Sequence, residues 1–195
     1  MRRTRQAGPL LLLALLAAGC SGDGGSAERE IGPTPVQSGP ILGGEPLEGP
    51  PSTDPAPGEP TTYDEGVAHL EAATTTVELA RFLSPDGDVY CSLSDLAGTP
   101  ACELGDGPVK DLDVCDPGGP SVYVGRIELG EDGPVPLCNT DTIRGAQGAT
   151  VEHGTRVTWP RSPVECVVEE IGVTCLDDDL GAGFFLTPGR YLLLG

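Results

Sequence analysis

From Thr76 to the end of the chain, apolar and β-branched residues occur in short segments interrupted by Gly, Pro and Asp. Short segments of this kind, bounded by turn residues, are typical of β-strands. The pattern predicts strands over residues 77–83, 89–93, 121–129, 149–152, 156–159, 164–168, 172–176, 183–187 and 190–194. Strands this short and this frequent predict an all-β domain over residues 76–195, either a sandwich or a small barrel of short antiparallel strands.

Turn sequences place two hairpins within this pattern. The turn at 85–88 has Asp-Gly at its centre and separates the first two predicted strands, which therefore form a hairpin. In a second hairpin, pairing Val168 with Val173 across the intervening turn places Cys166 directly opposite Cys175. Directly opposed residues have Cα atoms about 4.5 to 5.5 Å apart, which lies within the range of a disulfide. We therefore predict that these two cysteines are joined.

Residues 63–75 carry a different pattern, with Val67, Leu70 and Ala73 at spacings near three residues. This period predicts a short helix that precedes the β domain. His69 lies in this segment. We interpret it as an exposed or half-buried helix residue rather than a ligand, because no neighbouring residue completes a site.

The first 19 residues predict an export signal, because three arginines precede the apolar run Leu10–Ala18. That run is roughly half of the ~20 residues that a membrane-spanning helix needs. The end of this segment, Leu16 to Cys20 (L-A-A-G-C), resembles a bacterial lipobox, whose cysteine is lipidated on its thiol and becomes the mature N-terminus. Ala17 stands where such boxes most often carry leucine. The alternative is an ordinary signal peptidase site that leaves Cys20 as a free thiol.

Between this cysteine and the predicted helix, residues 20–62 predict a disordered linker. Ser21 to Thr62 contains nine prolines and nine glycines in 42 residues and almost no periodic apolar content. Such a segment cannot bury enough surface to offset the entropy lost on ordering. A flexible coil of this length has an r.m.s. end-to-end distance of ~35 Å. It is either a spacer that lifts the domain from a membrane or a passive remnant between the signal and the fold.

Six of the seven cysteines follow the linker, and their even number in an exported chain predicts three disulfides. No two are spaced as C-x-x-C, which argues against a thiolate metal site. Six cysteines allow 15 pairings. The successive local pairings, which close short loops, are preferred: Cys91 with Cys102, Cys115 with Cys138, and Cys166 with Cys175. Lipidation gives the remaining Cys20 a role.

The formal net charge is -19, and this charge excludes nucleic acid as a partner, because an acidic surface repels phosphates. Glycine and proline, 29 and 20 residues, are too frequent for a helix bundle. The carboxylates occur in clusters whose oxygens suit calcium, although none follows the twelve-residue calcium loop. A solvated acidic surface is the preferred interpretation of these clusters, which are Asp86 with Asp88, Asp111 with Asp113 and Asp116, and Asp177 to Asp179.

The sequence contains no G-x-S-x-G nucleophile elbow, no H-E-x-x-H, no phosphate-binding glycine loop and no dinucleotide fingerprint. His153 precedes Gly154 and is interpreted as a turn residue. We therefore predict no catalytic residue, no metal and no cofactor. The alternative is an envelope enzyme of the glycosidase type, in which a pair of carboxylates does the chemistry without histidine.

Four segments together resemble a known family. Phe82 to Cys91 is similar to the F-x-S-P-S-G-N-I-x-C opening of an uncharacterised family of exported, cysteine-rich actinobacterial domains. C-N-T-D-T at 138–142, G-V-T-C at 172–175 and G-A-G-F-F-L at 181–186 follow in the family's order. The resemblance covers about residues 80–194. It implies a secreted, disulfide-bonded domain, often attached to a signal peptide or lipobox, with no assigned activity. Asp86 and Asp88 replace the usual Ser and Asn.

Together these features predict a lipid-anchored protein on the extracytoplasmic face of the cell membrane. Its all-β domain is expected to have a binding or structural role. The expected partners are the membrane, through the lipid on Cys20, and an envelope protein or a wall polymer. The domain is expected to be monomeric. A carboxylate-based enzyme and a calcium-binding surface domain are the alternatives.

Overall fold

The computed structural model describes residues 55–94, 98–145 and 147–195. The predicted signal peptide, Cys20 and most of the predicted linker lie outside these described residues. The described chain contains one helix and thirteen strands, in the order α1 (Tyr63–Glu71), β1 (Thr75–Glu78), β2 (Arg81–Leu83), β3 (Val89–Ser92), β4 (Ala101–Leu104), β5 (Val109–Lys110), β6 (Tyr123–Gly130), β7 (Gly133–Cys138), β8 (Ala149–Thr150), β9 (Thr155–Thr158), β10 (Val164–Glu169), β11 (Gly172–Asp177), β12 (Ala182–Thr187) and β13 (Arg190–Leu194).

The strands form two sheets, and neither closes into a barrel. The six-stranded sheet has the order β1-β9-β10-β11-β12-β13. The seven-stranded sheet has the order β5-β6-β4-β3-β2-β8, and its seventh strand, β7, also pairs with β6. Neighbouring strands are antiparallel except in the pairs β1–β9 and β2–β8, which are parallel. The predicted all-β class is thus confirmed in its sandwich form.

The main core lies between the two sheets, where both contribute inward-facing side chains. Phe82 of β2 and Ile127 of β6 are fully buried on one side, and Val157 of β9 and Leu186 of β12 are fully buried on the other. In β10 and β11 the inward positions alternate with outward ones, as the two-residue period of a strand requires. The outward positions of this hairpin, Val167 among them, form a second, smaller cluster under α1.

Helix α1 begins where its sequence predicts, because residues before and within its first turn cap it. The hydroxyl of Thr62 accepts a hydrogen bond from the backbone N–H of Glu65, and the Glu65 carboxylate accepts from both the N–H and the hydroxyl of Thr61. Gly66 lets the helix approach the sheet, since a Cβ there would lie 3.0 Å from a methyl carbon of Leu176. The helix covers part of the outer face of the six-stranded sheet.

The structure differs from the predicted strands in two ways. The predicted strand 77–83 is divided between β1 in one sheet and β2 in the other. Strands β4, β5 and β7 were not predicted. Strand β7 contains Pro134 and Pro136, which have no N–H to donate, and it tolerates them because its only strand partner among the described residues is β6.

The ordered domain begins before the predicted end of the linker at residue 62. Pro60 is buried, and the side chain of Glu59 is only 5% exposed and forms an ion pair with Arg190 at 3.3 Å. Composition predicted disorder here because this stretch is rich in proline and polar residues. A single ion pair with a distant strand leaves no trace in composition.

Within the described ranges, no helix has the length and apolar character needed to cross a membrane.

Candidate functional site

The six downstream cysteines form three disulfides, Cys91–Cys102, Cys115–Cys138 and Cys166–Cys175. This is the successive local pairing. Two of the bonds join directly opposed residues on neighbouring antiparallel strands, β3 with β4 and β10 with β11. The third ties the loop after β5 to the end of β7. Three disulfides indicate an oxidising, extracytoplasmic location.

The two cross-strand disulfides contact each other in the middle of the sandwich. The Sγ atoms of Cys102 and Cys175, one from each sheet, are 3.5 Å apart. With Cys91 they form the one group of three potential metal ligands found among the described residues. All three sulfurs are already bonded in disulfides, so they offer no thiolate to a metal. We interpret this sulfur cluster as part of the core packing.

The segment that carries the C-N-T-D-T resemblance is held by a nearly buried carboxylate. Glu103 of β4 is 7% exposed and accepts hydrogen bonds from the Thr142 hydroxyl and the Ile143 N–H, both at 2.6 Å. Arg144 continues the network by donating to the carbonyl oxygens of Gly87 and Glu103. This network fixes the loop after β7 against the β2–β3 hairpin and has a structural role.

The β2–β3 turn brings two carboxylates of the predicted acidic clusters together. A hydrogen bond from the Ser84 hydroxyl, together with backbone N–H donors, lowers the pKa of Asp86. Burial, and then the neighbouring charges of Asp86 and Asp106, raise the pKa of Asp88. Opposite shifts in two adjacent carboxyls are the pattern of an acid–base pair. Here the hydrogen bonds of the turn account for the lowered pKa of Asp86. Neither Asp86 nor Asp88 lines the groove between α1 and the six-stranded sheet, which is described below.

The other acidic clusters likewise shape loops. Asp111 Oδ1 accepts from the N–H groups of Asp113 and Val114, and Asp177 Oδ1 accepts from those of Asp179 and Leu180. These are Asx turns, in which the side chain replaces a backbone acceptor. Asp116 Oδ1 forms the same kind of bond with the Gly118 N–H.

The second oxygen of Asp111 also joins the two sheets. Asp111 Oδ2 accepts from the Tyr191 hydroxyl of β13 at 2.6 Å. Burial opposes ionisation of Asp111, but the hydrogen bonds from Tyr191 and from the loop N–H groups outweigh it and lower its pKa. Burial and the same carboxylate raise the pKa of Tyr191. The hydroxyl therefore stays protonated and donates to a charged acceptor.

A groove lies between α1 and the outer face of the six-stranded sheet, with a volume of about 190 Å³. The floor is apolar and consists of Val67 and Leu70 from α1 and Leu176 from β11, of which the two leucines are buried. The remaining lining side chains form the rim, namely Tyr63, Glu71, Arg156, Pro163, Glu165 and Asp178.

The rim is predominantly acidic, because three carboxylates and one guanidinium give it a formal charge of -2 (three acids less one base). Arg156 and Glu165 form an ion pair on neighbouring strands. The Tyr63 hydroxyl donates to Asp178 at 3.2 Å, and burial together with Asp178 raises the pKa of this tyrosine. The side chain of Glu71, the last residue of α1, makes no hydrogen bond or ion pair with the described part of the chain.

The two histidines do not contribute to the groove. His69 projects from α1 and its Nδ1 lies 2.8 Å from the Glu169 carboxylate of β10, which ties the helix to the sheet. His153 is exposed in the turn before β9, where Gly154 adopts a φ of 76°. The interpretation of both as structural residues agrees with these positions.

The helix period includes Val67 and Leu70, and one acidic cluster includes Asp178, but no sequence pattern indicated that they share a groove. Arg156 and Glu165 become neighbours only through the pairing of β9 with β10, in which Arg156 lies opposite Val167. The available signal was the strand period, which places Glu165, Val167 and Glu169 on one face. That face could be identified as the one under the helix only from the fold.

Three comparisons with known proteins give no relative from which a function could be transferred. No family model matches the chain. No curated protein and no solved structure matches it. The resemblance to exported actinobacterial domains therefore remains an expectation, and the functional argument rests on the disulfides and the groove.

Proposed function

We propose that this chain is a lipid-anchored, extracytoplasmic binding protein of the bacterial cell envelope. Cys20 carries the lipid, and the disulfide-bonded sandwich presents a binding surface to another envelope component. The actinobacterial origin implied by the four matching segments belongs to the same proposal.

One observation carries the proposal: each of the six cysteines within the described ranges is bonded to another of the six. Cys20 is the one remaining cysteine of the seven in the sequence and has no partner left among these six. An unpaired thiol in an oxidising compartment calls for a specific role. Its position directly after an apolar run that ends in small residues supports lipidation. Stable anchoring then requires more than one acyl chain.

A binding role is favoured over catalysis because the polar residues of the domain are engaged in holding it together. Glu103, Asp111 and Asp177 each accept two or more hydrogen bonds from loops. The groove combines an apolar floor with a polar rim, which is the usual composition of a recognition site.

Membrane fractionation in a bacterial host tests the anchor. The full-length chain should sediment with membranes, resist a high-salt wash and enter solution only with detergent. Cys20→Ala should appear in the soluble exported fraction, while Ser21→Ala, a matched change that keeps the cysteine, should behave as the original chain. Membrane association that persists in Cys20→Ala from which the predicted signal peptide has been removed would contradict lipid anchoring.

In-cell crosslinking of the same strains tests the binding role. The anchored chain should give a specific, saturable protein neighbour, identified by mass spectrometry, that is lost in Cys20→Ala. Recovery of no protein neighbour would contradict binding to an envelope protein and direct attention to a wall polymer.

A further inference from the structure

We propose that the groove between α1 and the six-stranded sheet binds a single basic side chain, lysine or arginine, that projects from a partner protein. This inference rests on the proposed binding role and specifies the chemistry of its partner. Three properties of the groove support it: its size, its apolar floor and its charge.

The size of the groove limits the occupant to one side chain. Sites for drug-sized ligands occupy about 300 to 1,000 Å³, whereas this groove has about 190 Å³. It is bounded on one side by α1 and on the other by β9 to β11, so an occupant enters between helix and sheet. A single long side chain from a neighbouring protein meets this limit.

The floor suits the aliphatic part of a basic side chain. Val67, Leu70 and Leu176, which line the groove, have aliphatic side chains. Lysine and arginine carry three or four methylenes that pack on apolar surface while the charged end remains near polar groups. Burying each methylene favours binding, with a gain on the order of fourfold in affinity.

The rim suits the charged end. Glu71 has no partner in the described part of the chain, and Asp178 and Glu165 keep acceptor capacity beyond their single contacts. A carboxylate offers about four acceptor positions, and an ammonium or guanidinium has three to five donors to fill them. The net charge of -19 adds a long-range attraction for cations and repels acidic partners.

The experiment uses the full-length Cys20→Ala chain, which keeps the domain and its linker but leaves the protein without its anchor. NMR spectra of the leucine and valine methyl groups are recorded while the peptide acetyl-Gly-Lys-Gly-amide is added. The same peptide with norleucine in place of lysine keeps the alkyl stem and removes the charge. The expected result is a saturable shift of the Leu70 and Leu176 methyl signals at millimolar concentrations of the lysine peptide. The affinity for the norleucine peptide should be at least fivefold weaker.

A pair of charge-matched variants locates the effect. Glu71→Gln should weaken binding of the lysine peptide about threefold to tenfold, as expected for one surface carboxylate near a cation. Glu170→Gln makes the same change of net charge on the turn between β10 and β11, at the opposite end of this hairpin from Glu165, and should leave binding unchanged. Added salt should weaken binding to the original chain.

Three outcomes would overturn the inference: equal binding of the norleucine peptide, equal effects of Glu71→Gln and Glu170→Gln, or methyl shifts confined to residues outside the groove. Self-association that grows with protein concentration, measured by sedimentation, would assign the groove to a second copy of the chain and also contradict it. The peptide-binding results do not depend on whether Cys20 is lipidated, because the titration uses the Cys20→Ala chain. Loss of peptide binding with normal fractionation would refute only the groove, and normal peptide binding with failed fractionation would refute only the anchor.

Discussion

The disulfide Cys115–Cys138 differs from the other two in a way that predicts a selective response to reductant. Cys138 is partly exposed on β7, whereas the four cysteines of the other disulfides are buried in the core, each with at most 1% of its surface exposed. Thiol–disulfide exchange requires the attacking group to reach a sulfur. The accessible disulfide should therefore be reduced first, while the domain remains folded.

The cost of losing this disulfide follows from the length of the loop that it closes. Its cysteines are separated by 23 residues along the chain, compared with 11 and 9 for the buried pairs. The chain-entropy relation then gives about 3.4 kcal/mol for Cys115–Cys138 and about 2.7 to 2.8 kcal/mol for each of the others. The three together amount to about 9 kcal/mol, against the 5–15 kcal/mol total stability of an ordinary domain.

The assay combines graded reduction with equilibrium unfolding. Aliquots treated with increasing phosphine reductant are alkylated and mapped by mass spectrometry, and urea unfolding is followed for Cys115→Ala/Cys138→Ala. This double variant should stay folded and lose about 3 kcal/mol of unfolding free energy. Cys166→Ala/Cys175→Ala is the matched comparison, and it should lose at least as much, because it also removes buried sulfur contacts in the core.

Complete reduction should unfold the domain. Reduction of a buried disulfide before Cys115–Cys138 would contradict this prediction, and so would a loss of less than about 1 kcal/mol of unfolding free energy in Cys115→Ala/Cys138→Ala. A fully reduced chain that melts at the temperature of the oxidised chain would refute the importance of the disulfides altogether.

Three further substitutions test individual contacts. Tyr191→Phe should lower the unfolding free energy at pH 7 by about 1.5 kcal/mol through loss of a hydrogen bond to a charged acceptor. The pKa of Asp111 is lowered in the folded state, so the difference in unfolding free energy between the two proteins should have its full value above the ordinary aspartate pKa. It should shrink as the pH falls through the folded-state pKa of Asp111, and a difference that does not change with pH would contradict this prediction. Gly183→Ala places a Cβ against the carbonyl oxygen of Cys175 and should cost about 3 kcal/mol in urea unfolding, whereas unchanged stability would contradict the β11–β12 pairing. Asp88→Asn should raise the melting temperature at pH 7, because the raised pKa of Asp88 means that its ionisation is disfavoured in the fold. The variant and the original chain should melt at the same temperature near pH 3, where the carboxyl is protonated. A lower melting temperature of the variant at pH 7 would contradict the raised pKa of Asp88.

Local patterns predicted the parts of the fold that depend on neighbours in sequence. The β10–β11 hairpin has the predicted register, with Val168 opposite Val173 and Cys166 opposite Cys175. Helix α1 lies within the predicted range 63–75 because the apolar spacing is a local signal, but it ends at Glu71 and Thr75 already belongs to β1. The β2–β3 turn likewise follows from its Asp-Gly sequence.

The remaining features depend on pairing between distant segments. The division of 77–83 between two sheets requires β9 and β8 as partners, and both pairings are parallel and cross more than 60 residues of sequence. The groove also arises from distant contacts, because Glu71, Arg156 and Asp178 come from three separate parts of the chain. A two-residue period shows which residues share a face but does not show what covers that face.

The most direct test of the proposed function is a complete account of all seven cysteines in the protein extracted from membranes with detergent and without reductant. Peptide mapping by mass spectrometry should recover three disulfide-linked pairs and no free thiol. It should also recover a mature N-terminal peptide that begins at Cys20 and carries the added mass of lipid. A free or disulfide-bonded Cys20, or a mature N-terminus at another residue, would contradict the account.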